Sequence, residues 1–158
     1  MADPLPVIRV LFLAVYAAIF LVDLRTRLIP NVLTYPAIAV ALVKRPDGIG
    51  PIPLGHLAAG LGAASLFALF AWRGWMGVGD VKLALLIGLL SGPLLTPIAL
   101  WIGFVSGGLV AIGLLALRLK RRGDAVPFGP YLALGGAAVL LAGPVLLGWS
   151  GLGYLFGD

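Results

Sequence analysis

Residues 77–86 read GVGDVKLALL, so Asp80 stands at the edge of a long apolar run. A second aspartate, Asp23, stands directly after the apolar residues 5–22. An ionisable side chain close to membrane hydrocarbon costs about 2.5–3.5 kcal/mol on insertion scales, and such residues usually serve a function. Two carboxylates that face each other at one membrane surface suggest an aspartyl protease site.

The composition predicts an integral membrane protein. Of the 158 residues, 61% are hydrophobic and 11% are charged, and the mean hydropathy is +1.13. This leaves too little polar surface to cover a soluble globule of this length. The chain has no Cys and one His, which excludes disulfides, cysteine nucleophiles and an ordinary zinc site. We therefore expect neither a metal nor a cofactor.

All six acidic residues are aspartates, so each carboxylate can be judged singly. Four of them lie at the termini or in connections rich in Pro and Gly, where a solvated charge is the simplest interpretation: Asp3, Asp47, Asp124 and Asp158. Asp23 and Asp80 remain as candidates for chemistry.

Six apolar segments follow one another along the chain, at residues 5–22, 29–43, 54–72, 81–91, 97–119 and 130–149. A membrane-spanning helix needs about 20 apolar residues. The segments predict an all-α, polytopic membrane protein with about six transmembrane helices, forming a single domain over residues 1–158. The second and fourth segments are short and begin beside the two aspartates. The first is interpreted as a retained helix, with no cytoplasmic region before it.

The basic residues predict the orientation of the chain. Eight of the eleven follow or flank the first, third and fifth segments: Arg25, Arg27, Arg73, Lys82, Arg118, Lys120, Arg121 and Arg122. The other side has Arg9, Lys44 and Arg45. By the positive-inside rule, Asp23 and Asp80 are both expected at the cytoplasmic face of the plasma (inner) membrane. The bilayer is thus a predicted partner, and nothing in the sequence indicates nucleic-acid binding.

Both aspartates also have interpretations without chemistry. Asp80 could be the N-cap of the following helix, where its charge would meet the positive end of the helix dipole. Asp23 could form an interfacial ion pair with Arg25 or Arg27, usually worth about 1 kcal/mol or less. Gly77 and Gly79 would allow positive φ or the close approach of another backbone.

Three stretches of the sequence, taken together, favour the catalytic interpretation of the two aspartates. They are Asp23 followed by residues 29–34 (IPNVLT), residues 77–83 (GVGDVKL) and residues 126–133 (VPFGPYLA). In order, spacing and membrane context the chain resembles the type IV prepilin peptidase family. The resemblance implies a GxGD aspartyl endopeptidase with Asp23 and Asp80 as the catalytic pair. It also implies substrates that are prepilin-like proteins, each with a short basic leader, a Gly at the cleavage point and an apolar helix.

Many members of that family carry Cys-x-x-Cys motifs in an N-terminal region associated with methylation of the new N-terminus. The present chain has none. It is similar to the short, peptidase-only form found with tight-adherence pili, and to archaeal preflagellin peptidases. From this we expect cleavage without methyl transfer.

The chemistry of such a pair follows from electrostatics. Two carboxylates brought close together cannot both ionise, so they share one proton. The ionised member takes a proton from a water that attacks the scissile carbonyl, and the protonated member donates to the carbonyl oxygen. Asp80, at a helix N-terminus, is expected to be the ionised member, with Asp23 holding the proton.

Several neighbouring residues are candidates for binding substrate or shaping the site. Pro30 and Asn31 either restart a helix or fix the direction of Asp23. Lys82 either acts on the pair or on an acidic substrate group, or it is an interfacial cation with its ammonium in water. The third stretch either holds substrate extended or is a plain entry into a helix. Its members are Pro127, Phe128, Gly129 and Pro130.

Two other functions compete with the peptidase. A small proton- or cation-coupled transporter could use paired aspartates at broken helices, and it would need a further polar path across the bilayer. A non-catalytic subunit of a secretion or pilus-assembly apparatus would not need either aspartate. The sequence leaves open which prepilin is cleaved and how many copies of the chain assemble.

Overall fold

The computed structural model describes residues 4–45, 48–49, 52–119 and 127–150. The described chain is helical apart from one small hairpin, and the predicted all-α fold class is confirmed. The helices are α1 (Pro4–Thr26), α2 (Asn31–Val43), α3 (Leu54–Trp72), α4 (Val78–Ala116) and α5 (Gly129–Ser150). Strands β1 (Lys44–Arg45) and β2 (Gly48–Ile49) pair antiparallel. The predictions made for Asp3, Asp47, Asp124, Asp158 and the basic residues 120–122 lie outside the described residues.

The outer surface of the helices is apolar. Three stretches are long and apolar enough to cross a membrane, namely Val7–Thr26, Leu54–Trp72 and Val78–Ala116, and only 17–28% of their most apolar windows is buried inside the protein. Large exposed side chains such as Trp101 and Ile112 lie on this surface. A soluble monomer rarely exposes so large an apolar area. The fold is therefore that of a membrane protein, while the number of six crossings stays a prediction.

Helix α4 is broken in the middle. Its 39 residues include Gly92, whose φ of 70° and ψ of −177° are not helical, and Pro93 follows directly. Thr96 stabilises the break, because its hydroxyl donates a hydrogen bond of 2.5 Å to the carbonyl of Gly92. The predicted segments 81–91 and 97–119 lie on the two sides of this break.

Helix α4 is the centre of the bundle and packs against α2, α3 and α5, while α1 packs mainly against α5. Small residues allow the closest approaches. A Cβ atom at Gly88 of α4 would collide with the backbone of Gly60 in α3. Four further glycines have neighbours at close range: Gly103, Gly107, Gly135 and Gly136. At Gly108, by contrast, a Cβ would meet nothing within 4 Å.

This crossing gives a stability prediction. Gly88→Ala is expected to destabilise the fold by about 1–3 kcal/mol, the usual cost of overpacking, because the added methyl must separate α3 from α4. Gly62→Ala is the matched control. A Cβ there meets nothing within 4 Å, and replacing a helical Gly by Ala gains up to about 1 kcal/mol. Thermal unfolding in detergent micelles measures both; equal midpoints would contradict the crossing.

Candidate functional site

A cavity of about 830 Å³ opens at the end of the bundle where α1 ends and α4 and α5 begin. Its wall is built from residues between 23 and 31, between 74 and 82, and from Pro127 and Phe128. Both Asp23 and Asp80 line it. Asp23 is 3% exposed and Asp80 is 8% exposed, so the cavity contains two largely buried carboxyl groups.

Asp80 lies in the first turn of α4. The interpretation of Asp80 as the N-cap was wrong, because the helix begins three residues earlier than the sequence suggested and Gly77 is the N-cap. From the third helical position the Asp80 carboxylate reaches back and accepts a hydrogen bond of 3.1 Å from the Gly77 N–H. This is the acidic half of a capping box, and it fixes the carboxylate at the positive end of the α4 dipole.

Gly77 and Gly79 have different surroundings. Positive φ was the wrong expectation for both, since Gly77 has φ −78° and ψ 151°, and Gly79 lies within the helix. Close approach applies to Gly79, where a Cβ would lie 2.9 Å from the Cβ of Ile29. The first turn of α4 therefore packs directly on the segment between α1 and α2.

Asp23 lies inside the last turn of α1 and not after its end, because residues 24–26 continue the helix. The helix ends at Arg27, whose φ is 55° and whose N–H donates a 2.8 Å hydrogen bond to the Asp23 carbonyl. Arg25 and Arg27 are exposed, and within the described residues neither forms an ion pair with the buried Asp23. The interfacial ion-pair interpretation of Asp23 was therefore wrong.

The third stretch meets Asp23 directly. Gly129 lies against the Asp23 carboxylate, and a Cβ at Gly129 would collide with it. Pro127 and Phe128 line the cavity, whereas the buried Pro130 lies in the first turn of α5. Phe128 packs against the rings of Phe67 and Phe104, with centroids 6.3 and 5.0 Å away.

Pro30, Asn31 and Lys82 lie where α2 begins beside the first turns of α4. The Pro30 carbonyl accepts the first backbone hydrogen bonds of α2, so this residue starts the helix, as one of its two predicted roles required. The Lys82 ammonium donates a 2.7 Å hydrogen bond to the side-chain oxygen of Asn31. It also lies 4.6 Å from the ring centroid of Tyr35. Asn31 and Lys82 line the cavity.

Several residues of this site were not predicted from the sequence, chiefly Trp75. Trp75 lines the cavity and is 69% exposed; its ring stacks on Phe70 at 6.0 Å and lies 5.8 Å from the Arg73 guanidinium. Its position two residues before Gly77 was the available signal. Tyr35 and Phe104 gave none, since their contacts join residues far apart in the chain.

The two aspartates of the cavity lie in different electrostatic surroundings. Both carboxylates line one cavity, and the Asp80 carboxylate accepts a hydrogen bond from the Gly77 N–H. They lie at opposite ends of helix dipoles, since Asp23 is in the last turn of α1 and Asp80 in the first turn of α4. Such a pair can share one proton and act on a water molecule. Among the described residues, no group of three or more His, Cys, Asp or Glu could hold a metal.

Comparison with known proteins identifies similar chains. The sequence model of the type IV leader peptidase family matches residues 10–112, which include both aspartates but not the third stretch. A prepilin leader peptidase/N-methyltransferase of Aeromonas salmonicida is 34% identical over 85% of this chain and 49% of its own length. The Pseudomonas putida protein of the same name is 35% identical over 80% and 46%. That of Legionella pneumophila is 31% identical over 93% and 55%.

The chain spans about half the length of these curated relatives. No solved structure matches it.

Proposed function

Because this chain belongs to the type IV leader peptidase family, we propose that it is a membrane-embedded aspartyl endopeptidase that removes the basic leader from prepilin-like proteins. The observation that carries the proposal is the presence of Asp23 and Asp80, both buried, in the wall of one cavity. The relatives are named prepilin leader peptidases, which supports the substrate class.

The proposed reaction uses the pair as acid and base. Asp80 is ionised in the resting enzyme, since the N-terminus of α4 and the Gly77 N–H both favour its charge. It takes a proton from a water molecule, which attacks the scissile carbonyl carbon. Asp23 holds the other proton and donates it to the carbonyl oxygen. Asp80 then donates the proton taken from water to the leaving nitrogen, and the C–N bond breaks as a hydroxyl of the tetrahedral intermediate returns a proton to Asp23. No covalent enzyme intermediate forms.

The proposal is tested by incubating the purified chain, in detergent or liposomes, with a synthetic prepilin and weighing the products by mass spectrometry. We expect one cut at the leader junction and a mature product that begins immediately after it. Intact prepilin after prolonged incubation with folded protein would contradict the proposal. When S-adenosylmethionine is added to the same assay, we expect the new N-terminus to carry no methyl group.

The transporter and assembly-subunit alternatives have less support. A transporter needs polar groups along a path through the bilayer. In the part of the chain that the structure describes, the buried charged side chains are Asp23 and Asp80, and both lie at one end of the bundle. A non-catalytic subunit has no need of two buried carboxyl groups in one cavity, which are costly to maintain.

We further propose that the cavity faces the cytoplasm, and cysteine labelling measures this. Thr26→Cys and Trp72→Cys lie at the cavity end of α1 and α3, while Leu54→Cys lies at the other end of α3, and all three positions are exposed. The first two are expected to react with an impermeant thiol reagent only after the cytoplasmic side is opened, and Leu54→Cys in intact cells. The chain has no native Cys to interfere. Labelling of positions 26 and 72 from opposite sides would contradict the shared site.

A further inference from the structure

We propose that Lys82 is a positioning residue, which holds the first turns of α4 against α2 and thereby fixes the direction of the Asp80 carboxylate. The proposal rests on the proposed function and gives Lys82 a role other than binding substrate. It starts from two contacts of the Lys82 ammonium, the 2.7 Å hydrogen bond to Asn31 and the 4.6 Å approach to the ring of Tyr35. Both partners belong to α2.

The first turn of α4 has few other anchors. Gly77 and Gly79 have no side chains, and Val78 is 66% exposed. The packing contact available there is Gly79 on Ile29, at the entrance to α2. Val81 packs against the core in the following turn, and on the α2 side the start of α4 is held by the segment between Ile29 and Tyr35.

The position of Lys82 in the helix explains how it can aim Asp80. Residues two apart leave an α-helix about 200° apart around the axis. Asp80 is buried towards Asp23, and Lys82 is half-buried with its ammonium on α2. A contact on that side resists rotation of the helix about its axis, and such rotation would carry the Asp80 carboxylate away from Asp23. A displacement of about 1 Å in a catalytic group can lower the rate by about 100-fold.

Two features of the contact favour positioning over a free charge. The ammonium already has a side-chain acceptor and an aromatic face, so it is held in place rather than left mobile. Asn31 and Tyr35 are neighbours at i and i+4 on α2, so both present their side chains to the same side of that helix. Asn31 and Tyr35 thus form a preformed binding site for one ammonium group.

Steady-state kinetics on a synthetic prepilin tests the role. Lys82→Met is expected to lower kcat by about 10–100-fold with little change in KM. Lys82→Arg keeps the charge, a donor for Asn31 and the ability to stack on Tyr35, and its kcat should lie closer to the wild type than that of Lys82→Met. Arg25→Met removes an exposed cation near the same end of the bundle, outside the cavity wall, and is expected to leave the rate unchanged. A raised KM with unchanged kcat would instead show that Lys82 binds substrate, and would overturn the proposal.

Double mutants separate positioning from direct electrostatics. Asn31→Ala combined with Tyr35→Leu should cost nearly as much as Lys82→Met, and adding Lys82→Met should cost little more, because all three remove one contact. Multiplicative losses would overturn the proposal. So would a shifted pH optimum in Lys82→Met together with full activity in the Asn31 and Tyr35 variants, since Lys82 would then act on the carboxylates by its charge alone.

A readout without substrate distinguishes failure of this inference from failure of the proposed function. Hydrogen exchange of the α2 amides in detergent should be faster in Lys82→Met than in the wild type, and close to the wild type in Lys82→Arg. If the wild type does not cleave prepilin, the peptidase proposal fails, but faster exchange still demonstrates the contact. Unchanged exchange in Lys82→Met would overturn the positioning role whatever the activity.

Discussion

Asp23→Asn and Asp80→Asn are each expected to lower the rate of prepilin cleavage by about 10²–10⁴-fold, the contribution of a positioned general acid or base. Asn has nearly the shape of Asp but cannot exchange the proton that the reaction needs. At position 80 its side-chain oxygen can still accept the hydrogen bond that Gly77 donates to Asp80. The fold should therefore survive both substitutions.

Circular dichroism and thermal unfolding in detergent provide the control for this result. Both variants should keep the helicity of the wild type. The unfolding midpoint of Asp80→Asn should be equal to or above that of the wild type, because a buried neutral amide is easier to desolvate than a buried charge. Cleavage close to the wild-type rate by either variant would be evidence for a structural role of that aspartate. Loss of helicity together with activity would leave capping as the role of the residue.

Gly129→Ala is expected to lower cleavage by about 100-fold, the second largest effect. The new Cβ would collide with the Asp23 carboxylate and would lie 2.9 Å from the Cδ1 atom of Ile29. Both neighbours belong to the cavity wall, so the methyl group must displace Asp23, the start of α5, or both. Rates from the mass-spectrometric assay measure the loss.

Gly77→Ala is the matched comparison from the other aspartate. Its Cβ would lie 3.6 Å from the nearest Asp80 oxygen, an ordinary van der Waals contact, and its φ and ψ are accessible to any residue. A much smaller loss is expected, although Gly77 is a formal part of the GxGD motif. Equal losses in the two variants, or a larger loss in Gly77→Ala, would contradict the close approach of Gly129 to Asp23.

The fold class, and the choice of Asp23 and Asp80 as candidate site residues, could be predicted from the sequence for clear physical reasons. Apolar segments separated by Pro, Gly and basic residues leave little alternative to a helical membrane bundle, and a carboxylate at the edge of such a segment is costly. The helix ends near the aspartates were less predictable. Residues 24–26 can continue a helix as readily as end it. An Asp near the start of a helix can cap it from the third helical position as well as from the N-cap.

The contacts around the aspartates depend on long-range packing. Gly129 is more than 100 residues from Asp23, and Lys82 is 51 residues from Asn31. No local pattern relates such positions. The third stretch was predicted to hold substrate or to enter a helix, and its glycine lies against Asp23. One of the predictions for Lys82 was an interfacial cation with its ammonium in water. In the structure the ammonium contacts Asn31 and Tyr35 of α2.

The central claim is that Asp23 and Asp80 act as one catalytic unit, and the double variant Asp23→Asn/Asp80→Asn tests it most directly. Residual cleavage rates of the wild type, both single variants and the double variant are measured at high enzyme concentration by mass spectrometry. Groups that act as a unit are strongly non-additive, so the double variant is predicted to be about as slow as either single variant. Losses that multiply, or a single variant that retains the wild-type rate, would contradict the claim.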